Sequence, residues 1–218
     1  MRAEQVSTMK QNGFLAIWSD VDPADETDYL HWLTREHVQE RLAVPGFLAV
    51  RVFRTEADGR ARFLIFYRLQ EASVVGSEAY LARLNAPTPW SQNIMPRLRN
   101  FMRGGGSIVQ ESGSGAGGYI APLLVARSEL ADYREAATEI AKADRIAATR
   151  VFEVDHFASE IQTNEKAMRA GDRSFEAMLL IEALDEGELA AGLAMMGTRE
   201  RAVYRQIFAL EARDPASM

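Results

Sequence analysis

The sequence predicts an α+β protein built from two consecutive β-α-β-β-α-β units, and three observations carry that expectation. "GFLAIW" at 13–18 is echoed by "GYIAPL" at 118–123. A helical pattern containing Asp-Tyr follows each, at 28–29 and 132–133. Each helix then runs into an extended segment carrying "RVF", at 51–53 and 150–152. Three matches in the same order, roughly 100 residues apart, indicate one unit written twice. The expected units are 13–112 and 118–214, joined by a Gly/Ser linker at 113–117.

In the first unit, a strand over about 14–21 is bounded by Asp22-Pro23. A helix over 24–44 ends at Pro45-Gly46, because proline disfavours helix in the residue before it and glycine permits the turn. A second strand spans 47–55, "ADG" at 57–59 signals a hairpin, and a third strand spans 61–69. Helical patterns at 72–85 and 90–100 flank "APTP", and a short strand is expected near 107–111. The second unit repeats the order: strand 118–126, helix 129–146, strands 148–157 and 174–183, helix 186–201, strand 203–212. An insertion at about 158–171, where the first unit has a tight turn, is expected to be a helical excursion covering an edge or meeting a partner. Both faces of the first strand are apolar, so each sheet needs a second layer. The expectation is two four-stranded antiparallel sheets packed face to face, with helices outside.

Composition narrows the function. A net charge of −6 argues against a nucleic-acid partner, which needs a clustered basic face. Arg97, Arg99 and Arg103 form the densest basic run and read as a solvated helix face. The absence of cysteine excludes disulfides, thiolate nucleophiles and Cys-ligated metals. His31, His37 and His156 form no i, i+4 pair and no carboxylate cluster accompanies them, so no metal is expected. "GGG" at 104–106 lacks the lysine and spacing of a phosphate loop, and no nucleophile-elbow serine is present. With no apolar h-region at the N-terminus and no run long enough to span a bilayer, a cytoplasmic protein without membrane contact is expected.

The stretch "YLHWLTREHVQERLAVPGF" at 29–47 is the most informative. At about 100° per residue, His37 and Arg41 fall within about 20° of Leu30, in the middle of the apolar stripe with Leu33 and Val44. Trp32, Glu36 and Gln39 fall on the other side, and His31 projects to solvent. A charge facing a dry core costs several kcal/mol unless paired. A pocket between helix and sheet would supply a partner or water. The alternative is a hydrogen-bonded core histidine and a structural ion pair, and Arg145, placed opposite Arg41 by the repeat, favours that alternative for the arginine. Ala141 falls opposite His37, so one working site in the first unit and a degenerate second unit are expected.

Trp32, Glu36-His37, Arg41 and Pro45-Gly46-Phe47, with "PTPW" at 87–90, resemble the ferredoxin-like dimeric α/β-barrel superfamily, particularly its EthD-like branch. The resemblance covers about 13–112; the second unit matches in pattern only. It implies an internal, pseudo-dimeric α/β barrel and a pocket for small aromatic, quinone-like, polyketide or lactone ligands, with haem in one branch. The reading that follows is a cofactor-independent acid/base enzyme, an isomerase, cyclase or C–C lyase, acting on a small aromatic or cyclic oxygenated metabolite. His37 would be the base, since histidine suits proton transfer near neutrality. Arg41 or Tyr67 would stabilise the developing oxyanion. Trp18, Asp20, Leu33 and Trp90 would line the substrate. For the aromatics, plain core packing is the alternative; for Asp20, a turn or cap role. Rival functions are a non-catalytic small-molecule-binding or assembly protein, and a haem-binding protein or monooxygenase with His37 as axial ligand. A second copy of the chain is the one macromolecular partner left open.

Overall fold

The computed structural model describes residues 13–156, 161–169, 171–194 and 202–213. Its eight strands are β1 (Gly13–Val21), β2 (Phe47–Ala57), β3 (Arg60–Leu69), β4 (Arg99–Gly113), β5 (Tyr119–Val125), β6 (Ile146–Val154), β7 (Ala177–Ala183) and β8 (Tyr204–Glu211). They form one closed antiparallel barrel in the order β1-β3-β2-β8-β5-β7-β6-β4. The two expected sheets are therefore more than stacked. They are joined along both edges, by β2 with β8 (Val50 opposite Leu210) and by β4 with β6 (Ile108 opposite Phe152). Closure gives every strand two neighbours, β5 and β8 meeting over the short ladder Tyr119 opposite Arg205 and Ile120 opposite Tyr204.

Period-two alternation on β1 gives the layers. Phe14, Ala16 and Trp18 point into the barrel and pack with Phe53, Phe66, Phe152, Met178 and Leu180. Leu15 and Val21 point outward into a helix-covered layer with Tyr29, Trp32, Phe63 and Tyr67. The second unit's helices bury Ala137, Ile140, Leu189 and Leu193 against its own strands. Each fully buried aliphatic or aromatic side chain contributes roughly 1.5–3 kcal/mol.

The helices over the first half are α1 (Glu26–Trp32), α2 (Val38–Leu42), α3 (Glu78–Asn85) and α4 (Pro89–Ile94), joined there by α6 (Asn164–Ala167) of the second unit, which packs on α3; over the second half are α5 (Leu130–Ile140) and α7 (Glu186–Ala194). The "ADG" hairpin forms as expected: Asp58 and Gly59 both take positive φ, 52° and 73°, the pair of values a two-residue type I′ turn needs. The glycine triplet serves packing. A Cβ on Gly104 would lie 2.5 Å from the Phe175 ring inside the barrel.

Several boundaries differ from the sequence reading. The helical pattern at 90–100 gives way at Arg99 to a strand of 15 residues, because the backbone continues along β1 in register from Trp18 opposite Met102 to Gly13 opposite Ser107. The helix expected over 129–146 ends at Ile140, so Arg145 is not the counterpart of Arg41. It sits beyond the helix at φ 56°, exposed, and bonds Asp185. His156 lies past the end of β6 and is exposed. The linker is tied down: Gly115 O accepts from Arg150, Gly117 O from Arg51, and Gly117 N donates to Glu182. Of the insertion, 161–169 is described and contains α6; the expected helix over 186–201 extends to Ala194, and its remainder lies outside the described residues.

Candidate functional site

Between the first unit's sheet and its helices lies a cavity of about 30 Å³, room for one or two waters. Ile17 and Ser19 of β1, Ile65 of β3, and Phe101 and Arg103 of β4 form its floor; Trp32, His37 and Arg41 face them from the helical rod.

That rod is not a regular α-helix. Glu26 and Asp28 in its first turn suit the positive end of the helix dipole. Between α1 and α2, residues Leu33–His37 form a π-helical turn in which Val38 N–H reaches Leu33 O, five residues back. The wider turn absorbs one extra residue. Positions before it are therefore rotated by about 100° relative to positions after it. Trp32, placed on the outer side by a uniform wheel, is instead buried and stacked on His37, ring centroids 4.2 Å apart. Its Nε1 donates to Ser91 Oγ on α4 at 3.1 Å. Leu30, the centre of the predicted stripe, is only partly buried.

His37 and Arg41 lie after the π turn and share the inward face, 4% and 2% exposed. Burial, then the nearby charges of Arg41 and Arg169, hold the imidazole well below its ordinary pKa, so it is neutral at pH 7. Arg41 Nη2 donates to Glu165 Oε1, on α6 of the second unit. Burial opposes the charge on Arg41, but Glu165 outweighs it and holds the guanidinium above its usual range. Tyr67 is buried on β3, and burial raises its hydroxyl pKa so that it stays protonated; the Arg41 charge acts against that rise. Arg169 stacks over the Phe101 ring at 3.9 Å and pairs with Asp172 at 3.0 Å.

Four buried polar atoms in this neighbourhood have no partner among the described residues: His37 Nδ1, Arg41 Nη1, Arg103 Nε and the Tyr67 hydroxyl. Native interiors leave few such groups, and each costs about 1–3 kcal/mol, more when charged. Arg103 is 7% exposed and bonds no carboxylate among the described residues. Chemically the arrangement offers a neutral acceptor or base beside donors aimed at a negative charge.

The remaining predicted residues do not converge here. Trp18 lies inside the barrel, edge-on to Phe175 at 5.3 Å. Asp20 shares that face and is saturated by Arg62 at 2.6 and 2.7 Å and Asn100 at 2.7 Å. Burial raises its pKa, but those two partners outweigh it and hold the carboxyl below its usual range. Leu33 is fully buried in the helix layer and does not line the cavity. Trp90 bonds Asp28 Oδ1 through Nε1 at 3.0 Å, tying α4 to α1 away from the cavity wall. Sequence reasoning missed Trp32, Arg103, Glu165 and Arg169. Arg103 was read with Arg97 and Arg99 as a solvated helix face, whereas alternation along β4 turns it inward beside Phe101. A five-residue spacing between an aromatic and a histidine was the available signal for Trp32. Glu165 carried none, being 124 residues from its partner.

Among the described residues no group of three His, Asp or Glu side chains could hold a metal. Nor do the residues fit haem. An axial histidine is normally oriented by a hydrogen bond from its other ring nitrogen, whereas His37 Nδ1 has no partner and Trp32 packs against its ring.

No family model and no curated protein matches the sequence. Solved structures do. An anthrone oxidase-like protein matches with TM-score 0.60 at 10% identity, over 94% of each chain. A protein from Fusobacterium nucleatum with a provisional monooxygenase assignment matches with TM-score 0.57 at 9% identity, over 94% of this chain and 99% of that one. A protein provisionally assigned as a chlorite dismutase gives 0.51 at 9%, over 91% and 96%. At these identities the likeness is one of fold. The chain has the dimeric α/β-barrel architecture, closed here within one polypeptide. No helix among the described residues is long and apolar enough to cross a membrane.

Proposed function

We propose that this protein is an enzyme that removes a proton from a small aromatic or cyclic oxygenated molecule. His37 is the base, Trp32 holds its ring, and Arg41, Arg103 and the Tyr67 hydroxyl receive the charge that develops on the substrate oxygen. One observation carries the reading: a neutral imidazole and two guanidiniums on one cavity wall, with the Tyr67 hydroxyl buried near Arg41, each with a polar atom that is unsatisfied among the described residues.

A buried imidazole with a depressed pKa is a weak base towards bulk protons. It becomes adequate when proton transfer creates an anion beside it. The enolate or phenolate neutralises the guanidiniums that disfavoured imidazolium, and the imidazolium and anion stabilise each other in a low-dielectric site. No cofactor is required for that step. The anion can then be reprotonated elsewhere, giving isomerisation, or can cleave or cyclise.

A second fate is favoured by the oxidase and monooxygenase names of the fold neighbours. The carbanion adds to dioxygen, forming a C–O bond. The proton from the imidazolium goes to the outer peroxide oxygen, and loss of water from the hydroperoxide leaves a carbonyl. One substrate methylene and one O₂ give one C=O and one water.

Anthrone separates these steps. Without oxygen, in D₂O, the wild-type protein is expected to speed deuterium uptake at the methylene between the rings. With oxygen, quinone formation and O₂ consumption report the second fate. His37→Ala should slow exchange at least tenfold, within the roughly 10²–10⁴-fold of a positioned base, with an unchanged circular dichroism spectrum. Exchange at the wild-type rate in that variant would remove His37 from the chemistry, and saturable binding without exchange or oxidation would favour a binding protein.

A further inference from the structure

The second unit reaches across to the first unit's cavity, and what it delivers is a carboxylate. Glu165 is the one acidic residue on the cavity wall, against Arg41, Arg103 and Arg169. It is 3% exposed, and its Oε1 accepts from Nη2 at one edge of the Arg41 guanidinium while Nη1 of the same group has no partner among the described residues. Arg169 has its own counter-ion in Asp172. Arg103 has none among the described residues, and its Nε is also unpartnered. With Asp172 behind Arg169, the wall holds one guanidinium more than the carboxylates beside it neutralise among the described residues.

We infer that the Arg41–Arg103 corner is a subsite for an anionic oxygen of the ligand, a carboxylate or a stabilised enolate or phenolate, and that Glu165 occupies it until the ligand displaces it. This deepens the pocket reading above and rests on it. Three further features agree. The cavity, at about 30 Å³, has no room for an aromatic ring until something moves. The segment bearing Glu165 is held by short polar contacts: Asn164 N to Asn85 Oδ1 at 3.0 Å, Asn164 Nδ2 to Asn85 O at 2.7 Å, and Arg169 Nη1 to Met95 Sδ at 3.3 Å. It also carries a single four-residue helix, and Met168, partly buried, is the hydrophobic side chain it packs against the core. An arriving carboxylate takes over the bond to Arg41 and brings Arg103 the counter-charge it lacks. A neutral ligand of the same shape does neither.

Benzoate and its uncharged isostere benzamide are the probes, with binding measured by titration calorimetry on the whole chain. Glu165→Gln keeps the shape of the side chain and removes the competing charge. A protein whose site is blocked by its own side chain binds more weakly in proportion to the fraction blocked. Glu165→Gln is therefore expected to bind benzoate at least tenfold more tightly than wild type, with benzamide unchanged within twofold. Equal benzoate affinity in the two proteins, an equal gain for benzamide, or no benzoate binding by either overturns the inference. If Glu165→Gln does not fold, hydrogen exchange on the wild type decides. Saturating benzoate should speed exchange across 161–169, and unchanged or slower exchange there overturns it. Benzoate carries no exchangeable carbon acid, so this result is independent of whether His37 moves a proton on anthrone.

Discussion

At His37 the burial that makes the imidazole a candidate base also makes it acid-sensitive. Its folded pKa lies well below the ordinary 6.5, mainly through desolvation and then through Arg41 and Arg169. Below pH 6.5 the unfolded chain takes up a proton that the folded chain does not, so folding stability falls as pH drops from 6.5 through the depressed value. Above 6.5 both states are neutral and the residue contributes no slope. His37→Phe should flatten the urea-unfolding stability between pH 7 and 5, while kcat/KM of the wild-type exchange reaction should hold down to pH values clearly below 6.5. An acid limb at 6.5 or above would mean the base is another group. Tyr67 gives a complementary test. Its buried hydroxyl has no partner among the described residues, so Tyr67→Phe should change stability by no more than about 1 kcal/mol. If the hydroxyl serves the developing oxyanion, the same change should lower kcat about 10²-fold with KM little altered. The inward turn of His37 and Arg41 was legible from spacing alone, because four-residue separation survives on any stretch of regular helix. Their partners were not, since Glu165 and Arg103 arrive from distant strands and loops by tertiary packing.

The π turn explains what a uniform helical wheel could and could not read. His37, Arg41 and Val44 follow the turn and keep their relative phase; Leu30 and Trp32 precede it and are rotated by about one residue. Deleting Thr34 should close Leu33–His37 into ordinary α-helix. Trp32 and His37 would then be four apart and remain stacked, but the two ends of the rod would draw together by one residue's rise, about 1.5 Å. Irregular turns of this kind often sit at functional sites, where they hold groups in register at the cost of regular hydrogen bonding. The expected outcome is a folded protein whose Tm is not lowered and whose exchange activity falls about 10²-fold, the scale of a misplacement near 1 Å. A deletion variant with full activity would mean that the turn is tolerated rather than used. The strand β4 shows the opposite limit. The helical pattern over 90–100 runs into its first two residues, Arg99 and Asn100, and only pairing with β1 and β6 decides that the segment is extended from there.

On the scale of the molecule, the duplication was visible in sequence because strand starts, the Asp-Tyr pair and "RVF" recur in order; the closure of the barrel along two seams was not, since pairing of β2 with β8 and β4 with β6 joins segments far apart in the chain. Those seams treat the two units as equivalent, yet the interior does not. The first unit contributes Phe14, Trp18, Phe53 and Phe66, and the second answers with Phe152, Phe175 and Tyr204 beside Ile120, Met178 and Leu180. The Phe14 and Phe66 rings meet Phe152 at 4.8 and 5.3 Å, and Trp18 meets Phe175 at 5.3 Å. Strand register, however, puts Phe14 in the place of Ile120 and Phe66 in that of Leu180, so the two halves fill equivalent interior positions with side chains of different size. Two copies of the first unit, closed along the same seams, would place Phe14 where Ile120 belongs and Phe66 where Leu180 belongs. Each such excess costs about 1–3 kcal/mol in a close-packed interior. The halves, expressed together after division of the chain between Ser114 and Gly115, are therefore expected to assemble one to one, with each half alone failing to give a compact homodimer by native mass spectrometry. The cut loosens the bond from Arg150 to Gly115 O but leaves both seams intact. Anthrone exchange should return only in the mixed assembly, because the second half supplies the wall that carries Glu165 and Arg169. A stable, compact dimer of the first half would show that the barrel's preference for one of each unit does not come from how its interior is filled.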